Sequence, residues 1–160
     1  FGSRTRWLQL AFCVFSGFFT ESGWSQSVLT HTVHVDFVEN GVKYTVPLEY
    51  SDTLKSSAIS PDKRVAAALV IRDVGATTDF STIVNLRPAG EKLDIDGDTK
   101  FNPERGPGDN PANVFSAKGQ PTVTLRWTSA TSLAIVCKAP CKTFTKRSKW
   151  KGIRISYPKK

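Results

Sequence analysis

Apolar and polar residues alternate through much of this chain, which is the two-residue period of half-buried strands. Val33, Val35 and Phe37 alternate with polar neighbours, the pattern breaks at Asn40-Gly41, and it resumes at Tyr44, Val46 and Leu48. Asn-Gly is a strong hairpin signal, because both residues accept the positive φ that a two-residue type I′ turn requires. Such a turn sets Phe37 opposite Tyr44, Val35 opposite Val46 and Val33 opposite Leu48 on one face. Val38 then meets Lys43, and Asp36 meets Thr45, on the other. A slip of one residue would destroy that agreement, so the pattern itself defines the register.

A polar linker follows, then a turn at Ser60-Pro61-Asp62-Lys63 and a strand from Arg64 to Asp73. That strand is apolar on both parities, as expected of a central strand covered on both faces. Gly75-Ala76-Thr77-Thr78 turns the chain into a strand from Phe80 to Arg87, Leu93 and Ile95 mark a short strand, and Gly97 to Pro111 reads as a long surface loop. Alternation returns at Val123, Leu125 and Trp127, continues through Leu133, Ile135 and Cys137, and closes with Ile153, Ile155 and Tyr157. The expected fold is all-β, a single domain built as an antiparallel meander or a two-layer β-sandwich.

Composition agrees with this pattern. Apolar residues form 39% of the chain and charged residues 22%, which places it among folded proteins. Its length of 160 residues fits one domain of ordinary size.

Residues 1–27 read differently. Arg4 and Arg6 precede an apolar stretch from Trp7 to Phe19, and Ser22, Gly23, Ser25 and Ser27 follow. This is the order of a secretory signal, with small residues Ser25 and Ser27 where a signal peptidase reads. The apolar stretch is shorter than the ~20 helical residues that span a bilayer. The expectation is a signal over residues 1–27, with an uncleaved anchor or a core element as alternatives, and a domain over 28–160. Export implies the periplasm or cell envelope.

From Ser60 onward the chain resembles a group of small bacterial exported proteins with no assigned activity. The likeness rests on Ser60-Pro61-Asp62, on Asp73-Val74-Gly75-Ala76-Thr77-Thr78-Asp79-Phe80-Ser81-Thr82, on Asn113-Val114-Phe115, on Val123 with Trp127, and on Gly152-Ile153 with Tyr157. Val74 stands where that group places a cysteine. The resemblance implies export and a β fold, and it brings no catalytic residue with it.

Candidate chemistry is sparse. Cys137 and Cys141 flank Lys138-Ala139-Pro140, a spacing suited to a local disulfide in an oxidising compartment. It differs from a thioredoxin-type redox pair and offers too few ligands for zinc. Free thiols are the alternative. Asp94, Asp96 and Asp98, followed by Asn102, resemble the first half of a calcium loop. Thr99 and Arg105 occupy the places where such a loop needs Gly and Glu, so a solvated acidic turn is the better reading. His31 and His34 lie three apart on a strand and therefore face opposite ways. No catalytic constellation and no cofactor fingerprint is legible.

Charge is the least ordinary feature. Residues 28–137 carry 11 Lys and Arg against 13 Asp and Glu, whereas residues 138–160 carry nine Lys and Arg and no acid. Lys142, Lys146, Arg147, Lys149, Lys151 and Arg154 form the candidate anion-binding set, with Trp150 and Tyr157 interleaved. In the envelope the matching polyanions are anionic lipid, lipopolysaccharide and wall polymers. Export would separate the chain from nucleic acid. The leading expectation is a non-enzymatic envelope protein that binds an anionic partner through this face. Two further classes are an interaction component of an envelope protein assembly, docking through strand edges, and an enzyme whose site is assembled by residues distant in sequence.

Overall fold

The computed structural model describes residues 27–75, 79–96 and 110–159, with the side chains of Val33, Val35 and Phe37 outside the description. The proposed signal apart from Ser27, Cys13 within it, and most of the loop from Gly97 to Pro111, including Asp98, lie outside the described residues. Every regular element described is a strand.

β1 (Val28–Glu39) and β2 (Val42–Ile59) form the expected hairpin. Asn40 and Gly41 have φ of 51° and 77°, the pair of positive values a type I′ turn demands. The register pairs Phe37 with Tyr44, Val35 with Val46 and Val33 with Leu48, as the alternation requires.

β2 does not stop where a linker was expected. It continues to Ile59 and pairs antiparallel with β3 (Val65–Asp73), from Ser51 opposite Asp73 to Ile59 opposite Ala66. The segment Ser51 to Ser57 looks like a linker because it is mostly polar, yet its backbone is held in the ladder. An irregularity between Leu54 and Ser56 takes up Lys55 as an extra residue and re-phases the faces. The intervening turn is fastened by its own side chains: the Ser60 hydroxyl donates to Asp62 at 2.6 Å, and the Val65 amide donates to the Ser60 oxygen at 3.0 Å.

β4 (Ser81–Pro88) and β5 (Asn113–Lys118) extend this sheet, and β8 (Thr143–Lys146) completes it after β6 (Val123–Ser129) and β7 (Ser132–Cys137) have started a second one. β9 (Lys149–Trp150) and β10 (Ile153–Ser156) return to the second sheet. The orders are β1-β2-β3-β4-β5-β8 and β6-β7-β10-β9. Because the chain leaves the small sheet for β8 and then comes back, β10 lies parallel to β7, which a simple meander would not allow. The fold is a two-layer sandwich. Its core joins Ala67, Leu69, Val84, Leu86, Val114 and Phe115 of the large sheet to Leu133, Ile135, Trp150, Ile153 and Ile155 of the small one.

The large sheet is covered on its other face too. Ala68, Val70 and Ile83 pack there against Ile95, with Leu54 and Leu93 at the margin. Leu93 and Ile95 are not a strand, contrary to expectation. Three asparagines satisfy this segment's carbonyls in place of a neighbouring strand. Asn85 and Asn110 donate to the Asp94 carbonyl at 3.1 and 3.2 Å, and Asn110 and Asn113 donate to that of Ile95 at 3.1 and 2.8 Å.

Candidate functional site

The last strands place the candidate cations. Lys142 and Lys146 are exposed at β8, the short outer strand of the large sheet. Lys149 and Arg154 are direct cross-strand partners on β9 and β10. Trp150, Ile153 and Ile155 of the same strands are buried in the core, so by the alternation of strand side chains Lys149 and Arg154 stand on the solvent face of the small sheet. Lys151 and Gly152 make the connecting turn with φ of 40° and 84°, a second two-residue loop of positive φ. It lifts the Lys151 ammonium over the Trp150 ring, 5.2 Å from its centroid.

Arg126 adds a cation that the run of C-terminal charges does not reveal. It is exposed on β6 opposite Ala134, and Ala134 is in turn opposite Ser156. Arg126 and Arg154 therefore share the outer face of the small sheet. Only pairing across strands shows this.

Tyr157 ties the two parts of the basic surface together. Its hydroxyl lies 2.9 Å from the carbonyls of both Val114 and Arg147, its ring packs beside Phe115, and Lys146 lies 5.3 Å from the ring centroid. Burial pushes the Tyr157 phenol up to about 12, against the pull of the nearby Arg147 charge. Arg147 differs from the other cations. Its backbone amide donates to the Val114 carbonyl at 2.8 Å and its Nε to the Asn113 carbonyl at 3.3 Å, so it is half-buried and holds the strand in place. Lys142, Lys146, Lys149, Lys151 and Arg154 make no ion pair with any described residue. These exposed cations are distributed between the edge of one sheet and the outer face of the other.

Cys137 and Cys141 are bonded at an S–S distance of 2.09 Å with Cα atoms 6.2 Å apart. The bridge closes the connection between β7 and β8, where the chain changes sheets.

Sequence reasoning missed a polar cluster centred on the buried Arg72. Arg72, 1% exposed, donates from Nε and Nη2 to the two oxygens of Asp52, both at 2.8 Å, and from Nη1 to Asp96 at 2.6 Å. Tyr50 donates its hydroxyl to the second Asp96 oxygen at 2.6 Å, and the Arg72 guanidinium stacks 4.6 Å from the Tyr50 ring. His31, the cross-strand partner of Tyr50, stacks on the Tyr50 ring with 4.7 Å between ring centroids and places Nε2 at 3.5 Å from Asp52. Burial alone would lower the Arg72 pKa, but the hydrogen bonds from Asp52 and Asp96 outweigh it and hold the guanidinium above its ordinary value. The Tyr50 phenol is raised by burial and by its bond to Asp96. The cluster is an ion-paired fastening between β2, β3 and the segment that carries Asp96. One sequence signal did exist: Arg72 is the one cation of β3 and follows seven apolar residues.

Asp96 is thus committed to Arg72 and Tyr50, while Asp94 contributes its backbone carbonyl to the asparagine clamp. Among the described residues, no three His, Cys, Asp or Glu side chains converge as metal ligands. A groove of about 430 Å³ beside the clamp is lined by Arg87, Glu91, Lys92, Trp150 and Lys151 among others, and so presents charges of both signs. No family model, curated protein or solved structure matches the chain, so its function is read from its own residues.

Proposed function

We propose that this chain is an exported, non-enzymatic envelope protein that binds an anionic partner through the surface formed by β8, β9 and β10. The observation that carries the reading is a segment of one sign: nine cations and no acidic side chain in the last 23 residues. Of these, Lys142, Lys146, Lys149, Lys151 and Arg154 are exposed. Arg126 adds to the same face. The sheet fixes the spacing of these charges, which limits the entropy lost when they meet a polyanion. Export is supported by the order of residues in the N-terminal 27, by the resemblance to exported proteins, and by a disulfide that suits an oxidising compartment. The ligand class is a phosphate- or carboxylate-bearing envelope surface: anionic lipid, lipopolysaccharide or wall polymer.

Each cation near such a surface contributes about 1 kcal/mol. Replacing Lys146, Lys149, Lys151 and Arg154 with Gln should therefore weaken co-sedimentation with anionic vesicles or lipopolysaccharide by roughly tenfold or more at low salt. Thermal stability should barely change, because exposed charges contribute little to it. Equal sedimentation of the wild type and the variant, or none by either, would reduce the surface to a solubility feature.

A further inference from the structure

The β1-β2 hairpin outruns the sheet that supports it. β3 pairs with β2 only from Ser51 onward, so residues from His31 to Tyr50 form a two-stranded arm without a third strand beside it. Such a ribbon is marginally stable by itself in water. It also exposes apolar surface: Val38, Val42 and Val46 are 70%, 51% and 44% accessible.

The two edges of this arm are protected very differently. The two-residue turn makes Glu39 and Val42 a pair that exchanges backbone hydrogen bonds. Bonding then alternates, so even-numbered residues of β2 point their backbone groups at β1 and odd-numbered ones point away. Pro47, which has no N–H, falls among the outward positions of β2, together with Lys43 and Glu49. Proline and charge at an edge block strand addition. On β1 the outward backbone groups belong to Thr32, His34, Asp36 and Val38; this 12-residue edge strand holds no Pro and no Lys, and the charge of Asp36 is met by Lys43 at 2.8 Å. The other outer strand of the large sheet, β8, has four residues and carries Lys146.

The geometry points to a second copy of this chain pairing along β1, antiparallel, with Val35 on a twofold axis. A ladder along this edge must join even-numbered residues to even-numbered residues. A register centred on His34 sets it against itself, and one centred on Asp36 sets two carboxylates together. Centring on Val35 instead brings His34 opposite Asp36 twice, Thr32 opposite Val38 twice, and Val33 opposite Phe37 twice. This register keeps like carboxylates apart, sets an imidazole beside an Asp36 that Lys43 and Thr45 of its own hairpin already contact, and matches apolar position to apolar position, which is what an isologous contact needs. The dimer is a continuous sheet of twelve strands. A twofold axis perpendicular to a sheet keeps both copies' small sheets on the same side, so both basic surfaces meet one anionic surface.

The test uses the whole chain in a Cys13→Ser background, so that no third thiol interferes. Sedimentation velocity at micromolar concentrations should give a dimer. Val35→Cys should form a reducible intermolecular disulfide, since residues on the twofold axis form a non-hydrogen-bonded pair with close Cβ atoms. Thr32→Cys should not, because its copies are about 20 Å apart in this register. His34→Asp, which sets a carboxylate opposite Asp36 at both symmetry-related pairs of the dimer, should give monomers with unchanged circular dichroism. A wild-type chain that stays monomeric, or a dimer that crosslinks equally at Thr32 and Val35 or persists in His34→Asp, would overturn the proposal. None of these outcomes bears on the basic surface, which lies at the opposite edge of the large sheet.

Discussion

Arg72 and Asp52 show how much a single buried side chain can decide. The guanidinium is 1% exposed and the carboxylate 2%, and each is tolerable there only because the other is present. Removing one partner leaves the other as an uncompensated charge. Arg72→Met should lower the unfolding free energy by about 3–5 kcal/mol, read as a lower urea midpoint. A loss below about 1 kcal/mol would show that Asp52 finds water or another partner. The sequence concealed this pair because Asp52 sits among Ser51, Thr53 and Ser56, where polar residues read as a linker. Only the apolar run from Val65 to Ile71 that precedes Arg72 hinted that its charge was buried.

At the scale of elements, legibility followed local chemistry. The β1-β2 hairpin was readable because its turn residues and its alternation demand the same register. β5, β8 and β9 were not, for a reason in each case. In β5 both Val114 and Phe115 enter the core, next to a register shift, so simple alternation fails. β8 and β9 are short and carry cations that resemble a solvated tail. What holds them is Tyr157, which reaches across from the end of β10 to carbonyls on β5 and just after β8. Its phenol is raised to about 12 by burial, so folding favours the protonated form. The stability it supplies is complete below the ordinary pKa of about 10 and is lost as pH rises through about 12. Loss of tertiary signal should accompany tyrosinate absorbance in that window. Tyr157→Phe should remove part of this alkaline step and cost about 1 kcal/mol at neutral pH. An alkaline transition identical in both proteins would mean that Tyr157 does not fasten these strands.

Across the whole molecule, the all-β class was legible from composition and period, whereas the sandwich depends on long-range pairing. The passage of the chain to β8 and back, and the parallel contact between β10 and β7, have no local signature. The charge asymmetry was visible in the sequence, but its arrangement was not. The fold removes Arg147 from the exposed set, adds Arg126, and pairs Lys149 with Arg154. Asp52 and Asp96 serve Arg72 instead, although Asp96 lines the same groove as Lys151. One measurement tests the electrostatic role most directly: the affinity of the whole chain for anionic vesicles as a function of salt. Exposed charges are screened over about 8 Å at physiological ionic strength and about 3 Å at 1 M. Affinity should therefore fall steeply and continuously with added salt, and neutral vesicles should not bind. Binding that is unaffected by salt, or equal on neutral and anionic vesicles, would contradict an anion-binding function for the basic surface.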